Sequence, residues 1–289
     1  MSKQPIGNCI VCGNAKRAGL TSWHAVCGNC EYESTDLHPA INEEATHHFI
    51  DEQARERSLK ALRLENFKSI VESASRLARP GAATLLDVGS AHGWFLEAAR
   101  ARFTVLGIEP DETIRQLAQS RGLPVRGGYF PDALHPGESF DIIVFNDVIE
   151  HIPDIGAAVK ASHARLNEGG ILILNLPSSA GFFYRLSKLF ARAGWVGPFE
   201  RLWQKGMPSP HVHYFRHRNI NELVGRNGFE LVSSSELPSL RADGLLERLR
   251  FAGNVGRFAS FAQYLVLRCV IPVLQLFPSD IIVCVFRKT

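Results

Sequence analysis

The sequence has little excess charge of either sign. Its 32 lysines and arginines stand against 29 acids, and the resulting +3 offers no electrostatic case for a nucleic-acid partner. A secretory leader is also missing: Met1–Asn8 is polar and no apolar core follows it, so a cytoplasmic location is the expectation. Charged residues make up only 21% of the chain and hydrophobic residues 45%, the balance of a globular protein with a core to bury. The 289 residues allow one large domain plus an appendage. The third glycine of a dinucleotide fingerprint is absent as well.

That last absence concerns the stretch around which the chain is arranged, residues 84–93. Thr84–Val88 is a short apolar strand ending near an acid, Gly89 and Gly93 bracket a turn, and Trp94–Arg100 has helical character. Strand, glycine turn and helix open a nucleotide-binding α/β unit, in which glycine lets the backbone approach a ligand closely. A pyrophosphate site needs G-x-G-x-x-G, but the three positions here are Gly89, Ala91 and Trp94. Asp87 beside the turn suits a cationic ligand, such as a sulfonium carrying an amino-acid tail, better than it suits a pyrophosphate.

Strands and helices then alternate. Thr104–Glu109 is a second strand ending in an acid twenty residues beyond Gly89, placed to accept hydrogen bonds from ribose hydroxyls. A helix from Pro110 to about Arg121 and a short strand at 123–126 follow. Phe140–Phe145 is a continuous apolar run suited to the centre of a parallel sheet, and Asn146–Pro153 sits at its carboxyl end, where ligands of open α/β sheets bind. A helix over 154–166, a turn at 167–170 and a fifth strand over 171–176 complete this region, with later strands at 229–236 and 280–286.

"LDVGSAHG", "GIEPD", "FDIIVFNDVIEHI" and "LNEGGILILNLP" together resemble successive motifs of class I S-adenosylmethionine-dependent methyltransferases of the small-molecule type, in register over roughly residues 80–180. The first departs from the family's D-x-G-x-G-x-G in having Ala91 at the middle glycine. The resemblance implies an α/β fold: a seven-stranded Rossmann-like sheet with helices on both faces, its last strand inserted antiparallel between the fifth and sixth. It implies S-adenosylmethionine as cofactor, held by Asp87, Gly89, Ser90, Ala91, His92, Gly93, Glu109, Pro110, Asn146 and Asp147. Relatives often carry an acid for the adenine amino group after the third strand. Tyr129 and Phe130 stand there in this chain, so stacking on the adenine and a contact from the later Asp132 are both open.

Ahead of this core, Cys9-x-x-Cys12 and Cys27-x-x-Cys30 are separated by fourteen residues. Two such pairs in a reducing compartment make a closed four-thiolate Zn²⁺ site, structural rather than catalytic. Gly13 and Gly28 supply turns for the two pairs. The organisation expected is a zinc ribbon over 1–36, a helical lead-in over 37–80 that caps the substrate cleft, and a methyltransferase domain over 81–289 with insertions at about 180–210 and 240–279. His38, His47 and His48 fall in the lead-in and are expected to be solvated.

Methyl transfer to oxygen calls for a base titrating near neutrality, which favours histidine. His151, at the end of the fourth strand, is the first candidate; His211 and His213, in an H-x-H-Y-F element that recurs near the active site of the resembled family, follow. Asp147, Glu150 and His151 also resemble the acid-x-x-Glu-His element of quinone-biosynthesis O-methyltransferases, where a metal assists, so an Mg²⁺ site is a second expectation.

The insertion at 180–210 is aromatic and basic, as a substrate lid would be. Phe258–Phe277 is apolar apart from Arg268 and long enough to suggest a membrane span, against which Arg268 and Pro272 argue. Arginines at 241, 248, 250 and 257 precede or open it, which suits peripheral contact of 240–279 with an anionic membrane; a buried cap and a dimer interface are the other expectations. The acceptor indicated is a small molecule, sugar or lipid-linked glycan precursor; the paired cysteines also resemble those of deoxysugar C-methyltransferases. An RNA or protein methyltransferase is the rival enzyme, disfavoured for RNA by the low charge and by the lack of an Asn-Pro-Pro-Tyr motif after the fourth strand. A zinc-ribbon interaction protein with a degenerate cofactor fold is the non-enzyme alternative. The oligomeric state is not legible.

Overall fold

A computed structural model describes residues 7–40, 52–240, 245 and 257–289. His47, His48 and the arginines at 241, 248 and 250 lie outside the described residues. His38 is exposed, as expected.

The amino-terminal strands β1 (Lys16–Ala18), β2 (His24–Cys27) and β3 (Glu33–Thr35) form an antiparallel meander. The 26-residue helix α1 (Glu52–Leu77) leads into the main unit. There β4 (Thr84–Val88), α2 (Trp94–Ala99), β5 (Thr104–Glu109), α3 (Glu112–Ser120), β6 (Val125–Gly127), β7 (Phe140–Asn146), α4 (Ile155–Arg165) and β8 (Leu166–Pro177) alternate. The chain continues through α5 (Phe182–Arg192), α6 (Gly197–Leu202), β9 (His213–Tyr214), α7 (His217–Gly225), β10 (Phe229–Leu237), α8 (Arg257–Leu274) and β11 (Ile281–Lys288).

Seven strands make one sheet in the order β10-β11-β8-β7-β4-β5-β6. The strands from β8 to β6 run parallel, while β11 pairs antiparallel with both β8 and β10. This is the seven-stranded arrangement expected, with the last strand inserted between the fifth and the sixth. The period-two alternation of each strand divides the core. Leu85, Ile142, Ile171, Ile173 and Val283 face α1, α2 and α3, and Leu86, Ile143, Leu172, Leu174 and Ile282 face α4 and α7. All of β7 is buried, which explains why its sequence is apolar without alternation.

Two boundaries differ from expectation for local reasons. The third strand of the sheet begins two residues late, at Val125. The turn at 167–170 is absorbed into β8 as an irregularity: Leu166 pairs with Phe140, and regular pairing resumes only at Ile171 with Ile142.

The cysteine-bearing meander shares the core of the main unit. Cys9, Val11, Cys27, Cys30 and Tyr32 belong to the same buried cluster as the α4 and α7 face of the large sheet. β9 completes the meander as a fourth strand, Glu33 pairing with Tyr214 and Ser34 with His213. The insertion at 180–210 packs on it too: Tyr184, Phe199 and Trp203 form an aromatic cluster with Tyr214, against which Leu20 and Trp23 lie.

Among the described residues no helix is long and apolar enough to cross a membrane. Among the described residues of α8, Phe261, Leu265, Val266, Val270 and Val273 are exposed and Ile271 is buried.

Candidate active site

The turn between β4 and α2 is built for close approach. Gly89 has φ 69°, and a Cβ there would lie 2.6 Å from Val148. Gly93 has φ 73° and faces Leu123 in the same way. Ala91, the departure from the family motif, also has a left-handed φ of 45°, which shows why that position prefers glycine. The Ala91 backbone N–H donates to Glu109 Oε2 at 2.8 Å and the Asp111 N–H to Oε1 at 2.9 Å. Glu109 therefore braces the turn, and each of its oxygens retains accepting capacity. Burial raises its pKa against those two bonds.

Asp87 is fully buried and accepts a hydrogen bond from Asn146 Nδ2 at 3.1 Å. Burial pushes its carboxyl up to about 8, against the Asn146 bond, and the charge of Glu109 adds to the rise. Asp147, with φ 54°, turns the chain after β7; its carboxylate meets Arg63 of α1 at 3.4 Å and Asn175 at 3.5 Å. Through Arg63, α1 thus reaches the carboxyl edge of the sheet. His92 stacks on Trp94 with centroids 4.9 Å apart. Pro110 is half-buried between Glu109 and the start of α3. Phe130 packs edge-on against Phe145, whereas Tyr129 is 55% exposed.

Several buried polar atoms have no hydrogen-bond partner among the described residues. Ser90 Oγ, Asn146 Oδ1, Glu150 Oε2 and Asn175 Oδ1 are four of them, and all four sit at or just beyond the carboxyl ends of β4, β7 and β8. Each unmet group costs roughly 1–3 kcal/mol. Their concentration at one edge fits a polar ligand received there.

The histidines divide by their hydrogen bonds. His151 ends a single 3-10 turn, Ile149–His151, and its Nδ1 donates to the Pro210 carbonyl at 2.9 Å. That bond places the lone pair on Nε2, 3.9 Å from Glu150 Oε1. His211 lies with its ring 4.7 Å from that of His151 and its Nε2 also 3.9 Å from Glu150. Gln204 donates to that Nε2 at 2.8 Å, and Tyr214 meets Nδ1 at 3.3 Å. Burial, and then the charge of His151, hold the pKa of His211 well below the usual value. His213 is committed on both nitrogens: Nε2 donates to the Ile152 carbonyl at 3.0 Å, and the Tyr32 hydroxyl donates to Nδ1 at 2.5 Å. Burial lowers its pKa to about 4.

Glu150 is the group whose weight the sequence understates. It is buried, and burial followed by the charge of Asp147 raises its pKa well above the ordinary value. Glu150, His151 and His211 bring one ligand atom each to within 4.8 Å of one another. Asp147 is not in that group, which has one carboxylate and two imidazoles.

Cys9, Cys12, Cys27 and Cys30 form the other such group among the described residues. Their sulfurs are 3.5 Å apart in the Cys9–Cys30 pair and 3.4 Å in the Cys12–Cys27 pair. A zinc tetrahedron with bonds near 2.3 Å has edges of about 3.8 Å, so the donors fit. In each turn the residue after the second cysteine is left-handed: Gly13 at φ 75° and Glu31 at φ 61°. Gly28, expected to serve the second turn, does not take that role.

Missed from sequence were the residues that join this ribbon to the site. Glu33 accepts from His24 at 2.7 Å, from the Tyr184 hydroxyl at 2.8 Å and from Lys188 at 2.7 Å. Asn219 donates to the Cys30 carbonyl at 3.2 Å. Val212 N–H donates to the Glu150 carbonyl at 2.8 Å, and Thr35 N–H to the Val212 carbonyl at 3.1 Å.

With this geometry in place, the comparisons with known proteins agree. The methyltransferase domain family matches residues 50–234. A ubiquinone biosynthesis O-methyltransferase of Paramagnetospirillum magneticum is 33% identical over 146 residues, covering 47% of this chain and 59% of that relative. One of Methylobacterium nodulans is 30% identical over 139 residues, covering 43% and 53%. The chain thus spans little more than half the length of these relatives. A solved SAM-dependent methyltransferase from Thermotoga maritima superposes with a TM-score of 0.54 over 83% of this chain and 96% of its own, at 18% identity, and so shares the fold. The paired cysteines and α8 lie outside the matched region, while the turn, the carboxylates and His151 all lie inside it. This chain belongs to the class I S-adenosylmethionine-dependent methyltransferase family.

Proposed function

We propose that the chain transfers a methyl group from S-adenosylmethionine to an oxygen of a small, amphipathic acceptor, of the sugar, lipid-linked glycan or phenolic class. The observation that carries this reading is the row of unmet buried polar atoms along the carboxyl edge, with His151 at its end. The cofactor, when bound, supplies a methyl already activated by its sulfonium. Asp87 would receive the cationic amino-acid end, Glu109 would offer its remaining lone pairs to the ribose hydroxyls, and Ser90 and Asn146 would supply their unmet oxygens. Gly89, Ala91 and Gly93 would let the backbone come close, His92, Pro110 and Asp147 would line the rim, and Tyr129 and Phe130 would serve the adenine.

His151 Nε2 would take the proton of the acceptor hydroxyl as that oxygen accepts the methyl, the carbon–sulfur bond breaking with its electron pair left on the neutral thioether. Its Nδ1–H is fixed by the Pro210 carbonyl, and Glu150 Oε1 lies 3.9 Å from its Nε2. His211 shapes the acceptor side, and His213 positions the segment through Tyr32 and Ile152. The oxygen acceptor also agrees with the names of the O-methyltransferase relatives. Cys9, Cys12, Cys27 and Cys30 hold a structural Zn²⁺ that maintains this wall of the site.

The convergence of Glu150, His151 and His211 favours a second reading, in which these donors hold a divalent cation that lowers the pKa of the acceptor hydroxyl. Chelation that leaves turnover intact removes that reading and leaves the histidine base. The primary test incubates purified protein with methyl-labelled S-adenosylmethionine and fractionated host extract. Label in the lipid or sugar fraction is the expected result. Label confined to RNA or protein refutes the acceptor class, and absence of both label and cofactor binding refutes the enzyme reading.

A further inference from the structure

Helix α8 is the large element that the site does not use. Successive residues of an α-helix turn by about 100°, which places Phe261, Leu265, Val266, Val270 and Val273 within about half of its circumference. All five are exposed, Val266 to 62%, and Leu276 and Phe277 extend the same arc past the end of the helix. The arc also takes in Cys269 and Pro272 and contains no charged residue. Ile271, the buried residue, lies on the opposite side. Arg268 sits at the border, donating to the Tyr264 hydroxyl at 2.8 Å.

Charge along this segment has one sign. From Arg248 to Ser279 the chain carries arginines at 248, 250, 257 and 268 and no acid. We propose that α8 is an in-plane anchor that binds the surface of an anionic lipid bilayer through its apolar arc. An 18-residue helix is about 27 Å long and lies in the interface, consistent with the lack of a spanning helix among the described residues. A bilayer fits better than a second copy of the chain. The arc of about 180° is wider than the core-facing stripe of an ordinary surface helix, and the arginines of this segment find no acid in a second copy of it. Acidic headgroups complement the same segment.

The anchor is joined directly to the site. Asp280, just after the arc, accepts from the Tyr184 N–H at 2.8 Å and the Phe183 N–H at 3.1 Å, and so caps α5. Phe277 meets Phe182 with ring centroids 4.9 Å apart. Ile281 then pairs with Pro177 at the carboxyl end of β8, the edge that also carries Asp87 and His151. A bilayer under α8 lies beside the lid helix, whose Leu189 and Trp195 flank are exposed as well. An acceptor anchored in that leaflet is then held next to the cleft, a point that rests on the proposed transferase function; the anchor itself does not.

The test is flotation of the full chain with vesicles of phosphatidylcholine alone and of phosphatidylcholine with phosphatidylglycerol, without cofactor or acceptor, so that its outcome is independent of catalysis. The wild type floats with the anionic vesicles and is released by high salt. Val266→Asp lowers the bound fraction by about tenfold or more, and Arg268→Glu lowers it less, both with unchanged melting temperature because neither side chain supports the core. Failure of the wild type to float, or equal flotation of Val266→Asp, overturns the anchor. A concentration-dependent dimer abolished by Val266→Asp, without vesicle binding, replaces the bilayer by a second copy and overturns it too.

Discussion

Asp87 makes cofactor affinity depend on pH in a calculable way. Burial holds its carboxyl at about 8, with Asn146 opposing and Glu109 adding to the rise. At pH 7 the protein without ligand is then about nine-tenths protonated at this position. A ligand with a cationic amino-acid end selects the ionised form, so binding at pH 7 releases close to one proton. The dissociation constant should fall by about tenfold per pH unit from about pH 6 towards 8 and then level off, each unit being worth about 1.4 kcal/mol. Titration calorimetry with S-adenosylhomocysteine, in buffers of different ionisation enthalpy, measures both quantities. Asp87→Asn should abolish the proton release and flatten the profile. A flat wild-type profile without proton release, or a variant indistinguishable from the wild type, refutes the reasoning. Stability follows with the opposite sign. The folded value lies above the ordinary 3.8, so the contribution of this group is lost as the pH rises through about 8. The protein without ligand should melt lower at pH 8.5 than at pH 6 on this account, and cofactor should restore more at the higher pH.

Other outcomes follow from the same geometry. His151→Ala should lower kcat by about 10²- to 10⁴-fold while S-adenosylhomocysteine affinity changes less than twofold; an equal loss of affinity would place the residue in the cofactor site instead. Elemental analysis should find one zinc per chain, and Cys27→Ser should lower both the zinc content and the melting temperature. Glu33→Gln should destabilise the fold by about 3 kcal/mol in chemical denaturation, because it breaks a buried pair that also ties Tyr184. Burial alone would raise the Glu33 carboxyl, but His24 and Lys188 outweigh it and hold it below its ordinary value. That stability is therefore present above the ordinary carboxylate pKa and lost on acidification, and the difference between wild type and variant should shrink as the pH falls. Gly89→Ala should cost about 1–3 kcal/mol through its backbone angle and abolish cofactor binding through the displaced Val148.

The parallel strands were legible because burial on both faces writes continuous apolar runs, as in Phe140–Phe145, and because the glycine turn constrains its own residues. The two cysteine pairs were legible by spacing. What sequence could not show was contact across distance. Nothing local announces that Tyr32 meets His213 or that Glu33 meets Lys188. The position of Tyr32 two residues past Cys30 was the one available hint, since a residue there extends the metal turn into a strand. His211 and His213 looked equivalent in H-x-H, yet only His213 belongs to β9, where it meets Tyr32, while His211 precedes the strand and lies by Glu150. The exposure of α8 was hidden because an apolar run gives the same signal for a core as for a membrane surface.

The shared strand β9 has a consequence for synthesis. Tyr32 and His213 lie 181 positions apart, so the cysteine turns leave the ribosome well before the fourth strand that completes their meander. Until then the edge of β3 and the buried carboxylate of Glu33 lack their distant partners. The cysteine-bearing meander is made before β9 and closed only after it. Excised alone, it would carry its own metal ligands but lack β9, Tyr184 and Lys188, and a nascent chain stalled before residue 213 should remain open to protease at this amino-terminal module.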